Sequence, residues 1–288
     1  MVAKYGHVIV DECHHVPAMW FDRVLSEVKA RYVLGLTATP HRRDGHHPII
    51  EMQLGPVRFA VHQKSQAARR PFDHRLVVRA TAFRLDGASA RVGVQEIYRA
   101  LATDEARNRM ILDDIIQAIE EGRCPIVLTE RRDHLEYFAE RLQSFVRHLV
   151  VLHGRMTPKQ RREVGTRLVE WPDDEERLVL ATGRYIGEGF DEARLDTLFL
   201  AMPISWKGTL VQYTGRLHRL HAKKREVRIF DYVDREVPML MRMFEKRLRT
   251  YRAIGYARGE APLGYGEPVD EYTVEYDAEA LRSSDQDL

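Results

Sequence analysis

Apolar residues in this chain recur as short β-branched runs separated by longer stretches of helical period. His7-Val8-Ile9-Val10 is the first such run and ends in Asp11-Glu12, a pattern that predicts a buried strand with carboxylates at its C-terminal tip. A helical stretch around Trp20 to Ala30 leads to a second strand, Tyr32-Val33-Leu34-Gly35-Leu36, which stops at Thr37-Ala38-Thr39-Pro40. From Thr103 onward the beat is regular. A helix capped by Thr103 and ended by Gly122 carries Ile111, Ile115, Ala118 and Ile119 on one face, and the strand Pro125 to Thr129 follows it. The next helix carries Leu135, Phe138, Ala139 and Leu142, before a strand over His148 to Leu152. Thr157-Pro158-Lys159-Gln160 is a capping box with proline at the first helical position, so a helix runs from there toward Trp171. Strands over Leu178 to Ala181, Thr197 to Ala201 and Val227 to Phe230, with a helix across Leu210 to Leu220, complete a βαβ series. Such a series predicts a mostly parallel sheet covered on both faces.

The fold class is therefore α/β, in two units. From Gln63 to Arg70 the composition turns polar and basic, and Pro71 follows, which places a connector between them. The expected organisation is a first unit over 1–62, a connector over 63–102, a second unit over 103–236, a C-terminal helix over 237–256 and an acidic, disordered tail over 257–288. Because the chain opens almost at once on a strand that needs neighbours, the N-terminus reads as truncated, the first unit as incomplete and the second as complete.

Length and composition agree with two packed cores. The chain has 288 residues, 44% hydrophobic and 31% charged, too rich in core formers for a disordered protein. Cys13 and Cys124 stand far apart with no ligand at metal spacing, so neither a disulfide framework nor a zinc site is indicated, and a reducing cytoplasm is the expected compartment. No apolar stretch approaches the roughly 20 residues that span a bilayer, so no membrane partner is expected. The net charge of +2 averages a basic middle with an acidic tail and decides little.

Four segments carry candidate chemistry. Asp11 and Glu12 stand at the carboxyl end of a strand, the ligand edge of a doubly wound fold; Asp11 suits a phosphate-bound Mg²⁺ and Glu12 suits the attacking water. Thr37 and Thr39 end the neighbouring strand with hydroxyls able to couple a nucleotide site to its surroundings. In Ala181-Thr182-Gly183-Arg184-Tyr185-Ile186-Gly187-Glu188-Gly189-Phe190-Asp191, Thr182 suits a nucleic-acid phosphate, while Gly189 and Asp191 suit the nucleotide. Gln212-Tyr213-Thr214-Gly215-Arg216-Leu217-His218-Arg219 places Gln212, Arg216 and Arg219 on one face of a helix, where guanidinium groups can meet a γ-phosphate. Taken singly, each also reads as an acidic turn, a strand stop, a glycine-bearing connection or a solvated basic face.

In this order and separation, the four segments resemble motifs II, III, V and VI of superfamily 2 helicases of the DEAD/DEAH type, closest to the XPB-like and type III restriction-enzyme branch, over roughly residues 5 to 235. The resemblance implies tandem RecA-like domains, ATP with Mg²⁺ as cofactor, hydrolysis coupled to movement on DNA or RNA, and the roles just given for Asp11, Glu12, Thr37, Thr39, Gln212, Arg216 and Arg219. Two departures stand out. Cys13 occupies the place where commoner forms have Ala, and no Gly is followed by Lys anywhere in the chain, so the phosphate-cradling loop is missing. Tight ATP binding or hydrolysis by this chain alone is therefore not expected.

The resemblance also implies a nucleic-acid track, single strand or duplex, read mainly through phosphates and so dependent on salt. Thr182, Arg155 and Lys207 are the candidate contacts; for Arg155, in His153-Gly154-Arg155, a plain loop arginine stays open as the alternative. The basic residues of the last helix, Arg242, Lys246, Arg247, Arg249 and Arg252, read as a solvated face, with contact to nucleic acid as the alternative. Beside the helicase reading stand two others, a non-catalytic nucleic-acid-binding or scaffold remnant and a split subunit completed in trans by the missing N-terminal half.

Overall fold

The computed structural model describes residues 4–13, 19–37, 47–60, 70–85, 93–183, 192–204 and 207–258. Two parallel sheets organise them. The smaller pairs β1 (His7–Val10) with β2 (Tyr32–Gly35) in the register Val8 to Val33 and Val10 to Gly35. Helices α1 (Met19–Ser26) and α2 (His47–Leu54) belong with it, and Val10, Cys13 and Leu25 form a small core with Val8, Val33, Ile50 and Leu54. The alternating positions Ile9 and Leu34 are 59% and 45% exposed, whereas parallel strands are normally covered on both faces.

The larger sheet has seven strands in the order β5-β6-β4-β7-β8-β3-β9, every neighbouring pair parallel. These are β3 (Asp73–Ala80), β4 (Pro125–Thr129), β5 (His148–Leu152), β6 (Arg177–Thr182), β7 (Thr197–Leu200), β8 (Glu226–Val233) and the short β9 (Ala257–Arg258). Strand periodicity of two sends Leu178 and Leu180 of β6 to one face and Val179 and Ala181 to the other. The first face is covered by α4 (Glu105–Glu120) and α5 (Arg132–Leu142), through Ile111, Ile115, Ala118, Ile119, Leu135, Phe138 and Leu142. The second receives α6 (Pro158–Glu170) through Leu168, α7 (Lys207–Leu217) through Leu210, Val211, Tyr213 and Leu217, and α8 (Pro238–Ala253) through Tyr251. The apolar stripes of α4 and α5 are those the periodicity predicts, with Ala139 partly buried at the edge.

Several elements differ from the sequence expectation. Asp104, not Thr103, caps α4, accepting the Arg107 N–H at 2.7 Å; Thr103 instead ends α3 (Val94–Thr103), its hydroxyl bonded back to the Arg99 and Ala100 carbonyls. The helix expected across Leu210 to Leu220 stops at Leu217. Within the stretch read as a connector, Asp73–Ala80 pairs with the whole of β8, and α3 helps build a third cluster of Phe83, Ile97, Leu101, Met202 and Leu240. Arg75 and Arg79 interrupt the apolar pattern of β3, and Arg79 is buried against Asp114 at 3.1 Å. Arg247, expected on a solvated face, is 3% exposed and paired with Asp231. Residues 259–288, which include nearly all of the acidic tail, lie outside the described residues.

Buried histidines set an acid limit on this fold. The Asn108 amide nitrogen donates to the Ala102 carbonyl at 2.9 Å, which leaves its oxygen to accept from His134 Nε2 at 2.8 Å; His134 Nδ1 then accepts the Thr129 hydroxyl at 3.0 Å. Burial, with Arg107 nearby, pushes His134 down from 6.5 to about 3, and burial with Arg70 pushes His74 to about 4. A folded state that binds fewer protons than the unfolded chain loses stability as pH falls from about 6.5 toward those values. In thermal melts the histidines should therefore pull the midpoint down between pH 6.5 and 4.5, against the opposite contribution of Asp114, whose carboxyl is raised by burial to about 6. A His134→Phe variant, with no proton to take up, should show a shallower slope over that window; an unchanged slope would refute the assignment.

Candidate functional site

All strands of each sheet run the same way, so their carboxyl ends share an edge, and the candidate residues distribute about those edges. In the smaller sheet the Leu36 N–H donates to the Val10 carbonyl and the Cys13 N–H to the Leu36 carbonyl, both at 2.9 Å. These bonds carry the pairing past the strand ends and set Asp11-Glu12 beside Leu36-Thr37. Glu12 adopts φ 48°, a left-handed conformation that non-glycine residues occupy at a cost, and its N–H donates to Asp11 Oδ1 at 2.9 Å. Gly35 and Cys13 are small for a reason: a Cβ on Gly35 would lie 2.6 Å from the Leu54 side chain and 3.1 Å from the Cys13 sulfur. Thr39 lies outside the described residues.

In the larger sheet β4 lies between β6 and β7, and the chain leaves β4 toward one side and later returns to the other. A doubly wound sheet opens a crevice at such a reversal, outside the carboxyl ends. Thr129 and Thr182 pair there at the ends of β4 and β6. The Tyr213 hydroxyl donates to the Gly183 carbonyl at 2.6 Å, and a Cβ on Gly183 would meet that hydroxyl at 2.4 Å and Glu130 Oε1 at 2.5 Å. Burial and then the Glu130 carboxylate push Tyr98 up to about 12 and raise Tyr213 as well, so both phenols stay protonated as donors. Glu130 thus marks the centre of this edge. Its place after β4 was legible in the sequence, but its neighbours on α3, β6 and α7 were not. Arg155 is exposed just past β5, its N–H donating to His153 Nδ1 at 3.3 Å. Gly189, Asp191 and the Lys207 side chain lie outside what is described.

Helix α7 starts after the carboxyl end of β7 and leads to the amino end of β8, so it runs against the strands. Gln212 and Arg216, four residues apart, share a face of it, and both are half-buried. Arg219 lies beyond the helix end, joined by a His218 N–H bond to the Thr214 carbonyl, and is also half-buried. The nucleic-acid candidates Arg155 and Thr182 therefore sit at the carboxyl edge, and Arg216 and Arg219 toward the amino edge.

The segment leading into α7 is pinned by two buried side chains and one partly buried one. Arg107 donates from Nη1 to the Ala201 carbonyl at 2.7 Å, the Tyr98 hydroxyl to the Pro203 carbonyl at 2.7 Å, and Arg247 from Nη1 to the Ile204 carbonyl at 2.9 Å. Each guanidinium is matched by a carboxylate of or beside β8: Arg107 Nε to Asp234 at 3.0 Å, and Arg247 in a two-pronged pair to Asp231 at 2.7 and 2.8 Å. The amino edge holds a cleft of about 290 Å³ lined by Arg123, Asp173, Arg177, Arg194, Asp196 and Lys224 among others. Its charges are matched internally: Arg177 meets Glu192 at 2.9 Å, Arg194 meets Asp173 at 3.3 Å and Arg123 meets Asp196 at 3.5 Å. Burial lowers Lys224 to about 8, with Asp196, Cys124 and Glu192 acting in the opposite sense.

Among the described residues no group of three His, Cys, Asp or Glu side chains could hold a metal ion by itself. Asp11 and Glu12 are hard oxygen donors that fit a Mg²⁺ whose remaining ligands are water and phosphate oxygens.

Residues 2–42 match a family model described as type III restriction enzyme, res subunit, and residues 108–221 match one described as helicase conserved C-terminal domain. A putative helicase 161L of Invertebrate iridescent virus 6 is 26% identical over 263 residues, covering 88% of this chain and 56% of the relative. A DNA 3'-5' helicase XPB of Kineococcus radiotolerans is 31% identical over 166 residues, covering 56% of this chain and 28% of the relative. The chain thus spans about half the length, or less, of the curated relatives it matches. Two solved structures share the fold: S. cerevisiae Dbp5 bound to RNA and ADP BeF3, with a TM-score of 0.58 and 11% identity over 90% of this chain and 60% of that one, and the type ISP restriction-modification enzyme LlaBIII bound to DNA, with a TM-score of 0.57 and 17% identity over 86% of this chain and 20% of that one.

If the buried pairs hold the entry to α7, removing one partner must strand the other. Arg247→Met should lower unfolding free energy in urea by about 3–5 kcal/mol, because Asp231 is left ionised and buried. Adding Asp231→Asn to that variant should lose less than the sum of the single changes; strict additivity would show that the pair does not act as a unit.

Proposed function

We propose, from the premise that the chain belongs to the superfamily 2 helicases of the XPB-like and type III restriction-enzyme branch, that it works as part of an ATP-dependent helicase or translocase on nucleic acid. The observation that carries this reading is the backbone bonding that sets Asp11-Glu12 beside Thr37 at the ends of a parallel strand pair. In that reading Asp11 would hold the Mg²⁺ of Mg-ATP, mainly through water. Glu12, locally constrained by its own backbone, orients and polarises the attacking water, and Thr37 with Thr39 passes the state of the nucleotide to the nucleic-acid track. Bound Mg-ATP supplies the phosphoryl group whose transfer to water releases the energy for movement. Arg216 and Arg219, with Gln212 orienting the segment, neutralise the charge that develops on the γ-phosphate, and Gly189 and Asp191 complete the nucleotide face.

Arg155 just past β5, Thr182 at the end of β6 and Lys207 after β7 share the carboxyl edge of the larger sheet, where the phosphates of one strand would run. We assign the first unit to 1–62 and begin the second at β3, since Asp73–Ala80 pairs along the whole of β8.

A second reading is favoured by the open face of the smaller sheet. With Ile9 and Leu34 exposed and no Gly-Lys pair in the sequence, a separate polypeptide that brings the phosphate loop would also cover that face. Both readings share the nucleic-acid track and differ on where the phosphate loop comes from.

Thermal melts of the purified chain test them together. Single-stranded DNA should raise the midpoint, and Mg-ATP should raise it only if the groups present suffice to hold the nucleotide. In fluorescence anisotropy the affinity for single-stranded DNA should fall steeply with salt and vary little with sequence, and Arg155→Ala should reduce the logarithmic salt slope by about 0.7–1. A chain with no affinity for nucleic acid at low salt would sink the proposal.

A further inference from the structure

We infer that Lys224 is a positioning residue for Arg219, its ammonium tying the end of the helix that carries Gln212 and Arg216 to the segment that enters β7. The inference rests on the reading of Arg216 and Arg219 as groups that face the γ-phosphate. Lys224 is 4% exposed, and its Nζ donates to three backbone carbonyls: Leu217 at 2.7 Å, Arg219 at 2.8 Å and Ala193 at 2.8 Å. Those three acceptors come from two places in the chain. Leu217 and Arg219 end α7 and the turn beyond it, where the last carbonyls of a helix have no partner of their own. Ala193 follows the run Gly189-Phe190-Asp191 and precedes β7.

An ammonium has three protons, and all three are used. A cation at a helix C-terminus also meets the negative end of the helix dipole, so its charge adds to the hydrogen bonds. The Phe72 ring lies 5.5 Å from Nζ and closes the site on another side. The neighbouring Lys223 side chain has no such arrangement among the described contacts, which separates the two members of the Lys223-Lys224 pair. The backbone of Lys224 is itself held, its N–H donating to the His221 carbonyl at 3.1 Å.

The consequence is geometric. Fixing the Arg219 carbonyl fixes the peptide from which its side chain departs, and fixing Ala193 by the same atom couples the turn after α7 to the entry of β7. Catalytic guanidinium groups need placement within a fraction of an ångström, and a group beyond a helix end lacks the helix's own restraint. Lys224 supplies that restraint through the backbone.

Two measurements on the full chain test this. In wild-type protein labelled with ¹⁵N-lysine at pH 6, one ammonium resonance should persist under conditions where exposed lysine ammonium signals are lost to exchange with water, and it should disappear in Lys224→Met. Its absence from the wild type would overturn the inference without any variant having to fold. In Lys224→Met, amide hydrogen exchange should rise about tenfold or more in peptides covering 193–196 and 217–221 together, while exchange in α4 and α5 and the affinity for single-stranded DNA stay at wild-type values. Loosening of only one of the two segments would also overturn it. Loss of DNA affinity in the wild type would count against the proposed function and leave the tie through Lys224 standing.

Discussion

The larger domain depends on how Arg107 and Arg247 are neutralised in its interior. Each guanidinium is nearly inaccessible to water, and moving an unpaired charge there would cost several kcal/mol. Asp234 and Asp231 offset that cost, and one further donor of each guanidinium goes to the Ala201 or Ile204 carbonyl, with Tyr98 taking Pro203 between them. Past β7 one backbone bond remains, from the Met202 N–H to the Leu128 carbonyl at 3.3 Å, and side chains from α3, α4 and α8 hold the carbonyls of Ala201, Pro203 and Ile204. Thr81 and Tyr251 complete the two carboxylates, at 2.6 and 2.7 Å, so the networks leave few lone pairs unused. A loop held this way delivers α7 at a defined place and angle.

The sheet then separates two kinds of chemistry by direction. Strands that all run one way put every βα loop at one end, where Thr129, Glu130, Thr182 and Arg155 collect. Helix α7 carries the sequence back to the other end, where its last turn meets Lys224 and the charge-matched cleft. At the amino edge three ion pairs join the segments around β4, β6 and β7, Arg123–Asp196, Arg177–Glu192 and Arg194–Asp173.

The smaller unit works on different terms. Two parallel strands bury too little to be stable alone, and their helices cover only one face through Val10, Cys13 and Leu25. What it does hold firmly is the end of the pairing, where backbone bonds past Val10 and Gly35 set the carboxylates and Thr37 side by side. The strained backbone of Glu12 sits at that point, in keeping with strain collecting where a side chain must be aimed.

Patterning alone determined the α/β class, the βαβ series from Thr103 onward, the stripes of α4 and α5 and the capping box of α6, because each rests on residues near one another in sequence and on periods of two or 3.6. The order and spacing of the four polar segments likewise carried the family, since they follow strand ends that the apolar runs already mark. The tertiary structure decided the rest. A strand such as β3, with Arg75 and Arg79 among its apolar residues, reads as a connector until Asp114 and Tyr232 are seen beside Arg79. Arg247 looks like its exposed neighbours on α8, and Lys224 like Lys223, until distant carboxylates or carbonyls are brought to them. Burial of a charge is stabilised by partners tens of residues away, and no local period records which of several similar lysines and arginines will find one.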